Sequence, residues 1–129
     1  MTVHEILSSA AALICEDLSN DTAQDYSERT PFIIATFCSQ CKGIDSRYRK
    51  ANGLAPISTY TKATMPLEYV FPLIPELVPA ATYYLAAMLV LDENEALSDK
   101  LFDLYTDAVA TIAASIPFTS EKITNKYSQ

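Results

Sequence analysis

Residues 74–116 constrain the fold more than any other stretch of this chain, because they carry two consecutive helical patterns. In the first pattern, residues 76–91, apolar side chains recur at three- and four-residue steps. The second pattern starts at an acidic corner, where Asp92 and Glu95 have the spacing of a capping box, and it continues to about residue 115. A connection this short forces the two helices to be antiparallel. We therefore predict a helical hairpin in this part of the chain.

The N-terminus also has the pattern of an amphipathic helix. Apolar residues recur at helical spacing over residues 3–18 and would line one face. Thr2 and Glu5 have the spacing of a capping box, in which each side chain bonds a backbone N–H of the other residue. A polar turn at residues 19–22 follows. The first helix is therefore predicted over residues 3–18.

A second helix is predicted over residues 26–42. Asp25 and Glu28 have the spacing of a second capping box, and Gly43 suits the C-terminal stop. Pro31 falls inside this range, where it removes one backbone hydrogen bond unless a shorter helix starts there. We expect the continuous helix, with a bend at Pro31.

Residues 44–75 show no helical period and are interrupted by prolines. Irregular segments of this length are uncommon in compact domains unless they have a function. The residue pattern leaves open whether this excursion is a hairpin or a loop. Its best candidates for strand-like or docking pieces are apolar or aromatic residues: Ile57, Tyr60, Val70 and Phe71.

The composition favours a single helical domain. Hydrophobic residues make up 50% of the chain and charged residues 19%, which is typical of globular proteins. There are only 2 glycines, too few for the tight turns of an all-β fold. We predict an all-α, four-helix bundle-like domain over residues 1–116, with the long irregular excursion between helices two and three. A mobile C-terminal tail is expected at residues 117–129.

The sequence shows no sign of export or of membrane insertion. Its longest apolar run, residues 77–91, contains Pro79 and is shorter than the roughly 20 residues that a membrane span needs. The cysteine count of 3 is odd, and Glu5 interrupts the start of any signal peptide. We expect synthesis in a reducing, intracellular compartment and no membrane contact.

No combination of residues predicts a catalytic or metal site. Cys38 and Cys41 have the spacing of a zinc or redox pair. A structural zinc takes four ligands, however, and only Cys15 and His4 remain to complete the set. We expect Cys38 and Cys41 to be buried thiols and His4 to be a solvated surface residue. The protein is predicted not to be an enzyme and to need no cofactor.

The net charge of −7 disfavours a nucleic-acid-binding module, because such modules neutralise phosphates with Lys and Arg. Asp99, Asp103 and Asp107 lie four residues apart on one helix face and lack the Glu-x-x-His companion of di-iron bundles. A solvated acidic face is therefore favoured over a carboxylate-bridged metal site. A negative surface of this kind keeps DNA from adhering to a wall that it slides past.

One basic run, Arg47-Tyr48-Arg49-Lys50, holds three of the 9 cations. Three interpretations are open: a solvated loop tip, a contact with an acidic protein surface, or a DNA contact in which Tyr48 stacks on a base. The chain also has more tyrosines than a small core can satisfy, so some are expected at an interface. The predicted partner-binding residues in this part of the chain are Arg47, Tyr48, Arg49, Lys50 and Tyr60.

Residues 77–87, LVPAATYYLAA, are followed by LDENEAL at residues 91–97 and by FDLY at residues 102–105. This succession resembles the C-terminal helical hairpin of head-tail connector proteins, the adaptor proteins of long-tailed double-stranded DNA phages and prophages. The two N-terminal helices are similar in order and spacing, so the resemblance covers most of the chain. Pro31 and the long excursion depart from the family pattern.

The resemblance implies a structural, non-enzymatic subunit of the virion neck that is made in the bacterial host cytoplasm. Such a subunit forms a homo-oligomeric ring on the portal protein, extends the DNA channel without sequence-specific DNA binding, and docks a tail-side neck protein. Its C-terminal tail reaches toward the portal, which adds Phe118, Ile123 and Tyr127 to the predicted partner-binding residues. The alternative is a cytosolic helical protein–protein interaction or regulatory domain that binds its partner through the excursion.

Overall fold

Helices make up the regular structure of this chain, apart from one isolated β-bridge, in the part that the computed structural model describes: residues 1–16 and 22–117. The prediction of an all-α, bundle-like fold is confirmed. The described part has five α-helices, and a 3₁₀ turn at Pro75–Leu77 leads directly into the fourth. In chain order they are α1 (Val3–Leu13), α2 (Thr22–Gln40), α3 (Lys42–Ala51), α4 (Val78–Val90) and α5 (Glu95–Ser115).

Helix α4 is apolar on all sides and lies at the centre of the fold, where it packs against α1, α2 and α5. A helix that is hydrophobic all round is stable only when other elements cover it. Nine of its residues are buried: Ala80, Ala81, Thr82, Tyr84, Leu85, Ala86, Ala87, Leu89 and Val90. None of the helices in the described ranges is both long and apolar enough to cross a membrane.

Helices α4 and α5 form the predicted antiparallel hairpin. The Ser98 hydroxyl, near the start of α5, donates to the carbonyl of Ala87, near the end of α4, at 2.9 Å. One turn earlier in α4, the Tyr84 ring lies 6.1 Å from that of Phe102 and 5.1 Å from that of Tyr105, between centroids. Residues later in α5 therefore contact residues earlier in α4, as in an antiparallel pair. Aromatic pairs at these distances add to the stability of the hairpin beyond simple burial.

The start of α5 differs from the prediction. The side chain of Asn94 caps this helix, since its Oδ1 accepts from the N–H of Leu97 at 3.1 Å. Asp92 lies in the preceding turn, so the predicted capping box between Asp92 and Glu95 is wrong. Asn and Asp are about equally good caps. Residues 91–93 form the turn after α4, so Asn94 and not Asp92 lies at the capping position.

The capping box of α1 is confirmed. The N–H of Glu5 donates to Thr2 Oγ1 at 3.2 Å, and the N–H of Thr2 donates to Glu5 Oε1 at 2.9 Å. The predicted extension of this helix to residue 18 is wrong, because α1 ends at Leu13. Cys15 adopts a φ of 58°, in the left-handed region that ends a helix.

Helix α2 begins at Thr22, so Asp25 and Glu28 lie inside it and the second predicted capping box is wrong. The helix continues through Pro31 without interruption, as predicted. It ends at Gln40, and Gly43 is no C-terminal stop, because α3 starts at Lys42 and includes it. The predicted start of the excursion at residue 44 is therefore also wrong.

The irregular connection that remains, residues 52–74, contains no hairpin in the structure, and part of it pairs with the N-terminus instead. The N–H groups of Val3 and His4 donate to the carbonyls of Tyr69 and Leu67, each at 2.9 Å. These are first-turn donors that have no partner within a helix. The connection therefore caps α1, which explains why a segment without helical residues is ordered against the bundle.

Replacement of Leu85 by Ala should reduce the free energy of unfolding by about 2–5 kcal/mol, because Leu85 is fully buried in α4 and its removal leaves a cavity. The matched change Leu104→Ala, at a side chain that is 44% exposed on α5, should cost less than about 1 kcal/mol. Urea unfolding of the two variants measures both values. Equal losses would contradict the central position of α4.

Candidate partner-binding surface

A buried carboxylate organises the surface on which most of the predicted partner-binding residues lie. Asp45, in the first turn of α3, has an exposed fraction of 0%. It accepts three hydrogen bonds: from Arg49 Nε at 2.7 Å, from the Tyr60 hydroxyl at 2.6 Å and from the backbone N–H of Ile74 at 2.7 Å. A buried charge needs such partners, since water no longer solvates it. The carboxylate thus joins α3 to two distant points of the 52–74 connection.

Arg49 extends the same network. Its Nε pairs with Asp45, and its two terminal nitrogens donate to the carbonyl oxygens of Ala55 at 3.0 Å and of Pro72 at 2.9 Å. The planar guanidinium suits this arrangement because its donors point in fixed directions. Arg49 therefore holds both ends of the connection, and its charge is neutralised by Asp45.

Tyr60 and Tyr48 are also committed to contacts within the chain. Burial of Tyr60, together with its hydrogen bond to the Asp45 carboxylate, raises the pKa of the Tyr60 hydroxyl to about 12. The Tyr48 hydroxyl donates to Glu76 Oε2 at 3.3 Å, and its half-buried ring packs against the core. Tyr60 thus fixes the connection against α3, and Tyr48 joins α3 to the 3₁₀ turn.

The basic run lies on helix α3 and not at a loop tip, so the loop interpretation is wrong. Successive side chains of a helix point in different directions, so the four residues of the run do not share one face. Arg47 and Lys50 are exposed, whereas Tyr48 and Arg49 turn toward the core. Lys42, one turn before, is exposed as well. The structure therefore replaces a contiguous patch by separate cations on the outer face of α3.

A cleft of about 370 Å³ opens within the connection, between residues 57–62 and residues 65–73. Its floor includes buried Met65 and Leu73, and its rim includes Val70, which is 68% exposed. The Lys62 ammonium lies 5.5 Å from the centre of the Tyr69 ring, a cation–π distance. The cleft size is in the range of small binding pockets. Of the residues that line this cleft, the sequence analysis named only Ile57, Tyr60 and Val70 as candidate docking residues. The other lining residues follow no regular spacing in the sequence that would have predicted them.

The acidic residues of the hairpin lie on its surface. Asp99, Asp103 and Asp107 are all exposed, in a row along the face of α5 that points away from α4. Within the ranges that the structure describes, no three His, Cys, Asp or Glu residues are grouped so as to hold a metal ion. The row is a solvated face, as the sequence predicted.

Cys38 and Cys41 are buried free thiols, as predicted. Burial raises the pKa of Cys38 to about 12 and that of Cys41 to about 11. The reactive and metal-binding form of cysteine is the thiolate, so raised pKa values make these two thiols inert near neutral pH. Cys15 and His4 are exposed.

Three of the predicted partner-binding residues, Phe118, Ile123 and Tyr127, lie outside the described residues, as does the predicted mobile tail beyond Pro117. Comparison with protein-family models, with curated proteins and with solved structures found no match to this chain.

Replacement of Asp45 by Asn should destabilise the protein by about 2–4 kcal/mol, because it leaves the Arg49 charge without its partner and puts an NH2 group in place of the oxygen that accepts from Arg49 and Tyr60. The oxygen that remains can still accept from the Ile74 N–H. The control is Asp107→Asn, which removes an exposed carboxylate and should change stability by about 0.5 kcal/mol or less. Urea unfolding at neutral pH measures both. A loss at Asp45 no larger than the loss at Asp107 would contradict the role of the carboxylate.

Tyr60→Phe should destabilise the protein by about 1.5 kcal/mol near neutral pH, since it removes a hydrogen bond to a charged acceptor. The folded-state pKa of Tyr60 is raised from 10.0 to about 12, so its contribution is fully present below pH 10 and is lost as the pH rises toward 12. The difference between wild type and variant should therefore shrink above pH 10. Urea unfolding from pH 7 to pH 11 measures it, and a constant difference would rule out the hydroxyl as its source.

Proposed function

We propose that this protein is a head-tail connector subunit, a structural component of a phage neck. In this proposal it assembles as a ring on the portal protein, extends the channel through which DNA passes, and docks the tail-side neck protein. The proposal starts from the sequence resemblance at residues 77–105. Its support in the structure is that these residues form one unit, the α4–α5 hairpin.

The observation that carries the proposal is the acidic face of α5. Asp99, Asp103 and Asp107 form an exposed row of like charges along a helix whose opposite face packs on α4. Like charges in a row repel one another and so cost folding free energy. Their presence is therefore consistent with a function for the negative electrostatic potential that they create. A channel wall that repels phosphates lets DNA move past without adhering. We place this face toward the lumen of the ring.

The contacts between subunits and with the portal belong, in this proposal, to the outer face of α3 and to the 52–74 connection. Exposed Lys42, Arg47 and Lys50 on α3 supply positive charge on a surface that the Asp45 network holds in place. The exposed side of the 52–74 connection completes this set of contacts. Electrostatic complementarity between such a surface and an acidic neighbour favours one orientation of binding.

Mixing the protein with purified portal rings from the same phage or prophage tests the proposal. We expect a second ring of density stacked on the portal in electron microscopy, and co-sedimentation of the two proteins. Charge reversal at Arg47 and Lys50 should weaken the association, whereas reversal of Lys100 on α5 should not. A protein that stays monomeric beside intact portal rings contradicts the proposal and favours the cytosolic interaction domain.

Charge reversal on α5 tests the position of the acidic face. The variant Asp99→Lys, Asp103→Lys, Asp107→Lys should still assemble on the portal, but the assembled ring should retain at least about tenfold more duplex DNA at low salt. The control with the same change in net charge is Glu28→Lys, Asp92→Lys, Glu93→Lys, all at exposed positions. Co-sedimentation of labelled DNA measures retention. Equal retention by the two variants would refute the assignment of this face to the lumen.

A further inference from the structure

The backbone of Val70 forms an open strand edge. Thr2 and Val70 are paired in an antiparallel β-bridge. The two hydrogen bonds of this bridge are made by their neighbours, from Val3 N to the carbonyl of Tyr69 at 2.9 Å and from Phe71 N to the carbonyl of Met1 at 2.8 Å. In such a pair the N–H and C=O of the central residues point away from the partner strand. The N–H and C=O of Val70 therefore face outward, and no backbone hydrogen bond to them exists within residues 1–16 and 22–117.

The cleft described above lies beside this edge, since Tyr69 and Val70 belong to its lining. Val70 and Tyr69 are among the exposed large hydrophobic side chains of the chain, at 68% and 46%. A volume of about 370 Å³ has room for one or two side chains of an added strand, and not for a folded partner. An open edge with an adjacent apolar cleft is the arrangement by which proteins bind an extended peptide as an extra strand.

The C-terminal residues of the same chain are within reach of this edge. The last described helix, α5, packs against the 3₁₀ turn Pro75–Leu77, which follows directly after cleft residues Pro72 and Leu73. The chain therefore passes residue 117 at the end of the bundle where the cleft lies. The twelve residues from 118 to 129 can span up to about 40 Å when extended, which is more than the width of a small domain.

The sequence of this segment suits a strand. Residues 123–127 read Ile-Thr-Asn-Lys-Tyr, in which β-branched and aromatic residues favour extended structure. In a strand, alternate side chains share a face, so Ile123, Asn125 and Tyr127 lie on one side and Thr124, Lys126 and Ser128 on the other. The first side carries the two large side chains, Ile123 and Tyr127, which fit the cleft, and the second is polar throughout and fits solvent.

We propose that residues 118–129 bind to the Val70 edge of their own copy as an added β-strand, with Ile123 and Tyr127 directed into the cleft. Attachment to the same chain gives the segment a high effective concentration at the cleft. The added strand covers an edge that would otherwise invite pairing with other chains. The inference does not depend on the proposed function, because it uses only the edge, the cleft and the reach of the segment.

Amide hydrogen exchange of the full-length protein tests the proposal. The Val70 N–H should exchange at least about tenfold more slowly than an unstructured amide, because the added strand accepts from it. In the variant Ile123→Asp, Tyr127→Asp this protection should be lost, while amides of α4 keep theirs. The control Thr124→Asp, Ser128→Asp adds the same charge on the opposite face and should leave Val70 protected. An unprotected Val70 in the wild type, or equal loss in both variants, overturns the proposal.

A photo-crosslinking residue at position 127 tests the location independently of exchange. Crosslinks to residues 57–62 or 69–73 within one polypeptide, at a yield that does not change on dilution, are the expected result. Crosslinks formed only between two polypeptides would overturn the assignment to the same copy. Crosslinks to other parts of the bundle would overturn the assignment to the cleft.

Discussion

The carboxylate of Asp45 is the interaction on which the order of the 52–74 connection and its cleft depends. It is fully buried, and its charge is compensated by Arg49, the Tyr60 hydroxyl and the Ile74 N–H. Removing a charge from water costs several kcal/mol, so a buried carboxylate is stable only while its partners stay in place. The carboxylate in turn holds Arg49, Tyr60 and Ile74 in their positions. Residues 52–74, which have no helix of their own, are held on the bundle in this way.

The ordered connection has consequences on both of its sides. Toward the bundle, it supplies the carbonyl oxygens of Leu67 and Tyr69 that cap the first turn of α1. Toward solvent, it forms the cleft and presents the outward-facing backbone of Val70. The hairpin depends on a separate interaction, the burial of α4 between α1, α2 and α5. The molecule thus has a packed helical centre, an acidic outer face on α5, and an ordered connection that the buried carboxylate holds in place.

The sequence predicted the elements that depend on local spacing, such as the capping box of α1 and the α4–α5 hairpin, because their apolar residues follow the helical period. It did not predict α3, whose inward positions include Asp45, Tyr48 and Arg49. Polar residues there hide the period on which such predictions rest. The four-residue spacing of Asp45 and Arg49 was the available signal, since it matches a helical ion pair. The cleft could not be predicted, because Asp45 meets Tyr60 and Ile74 across 15 and 29 residues of sequence.

Hydrogen exchange at the Ile74 amide tests the central claim most directly, because this N–H donates to the buried carboxylate at 2.7 Å. If the Asp45 network holds the connection as firmly as described, Ile74 exchanges only when the whole protein unfolds, with the same opening free energy as the amides of α4. The same dependence on added urea is then expected at both places. Exchange at Ile74 that is far faster than in α4 and insensitive to urea would show that the connection opens alone, which contradicts the account.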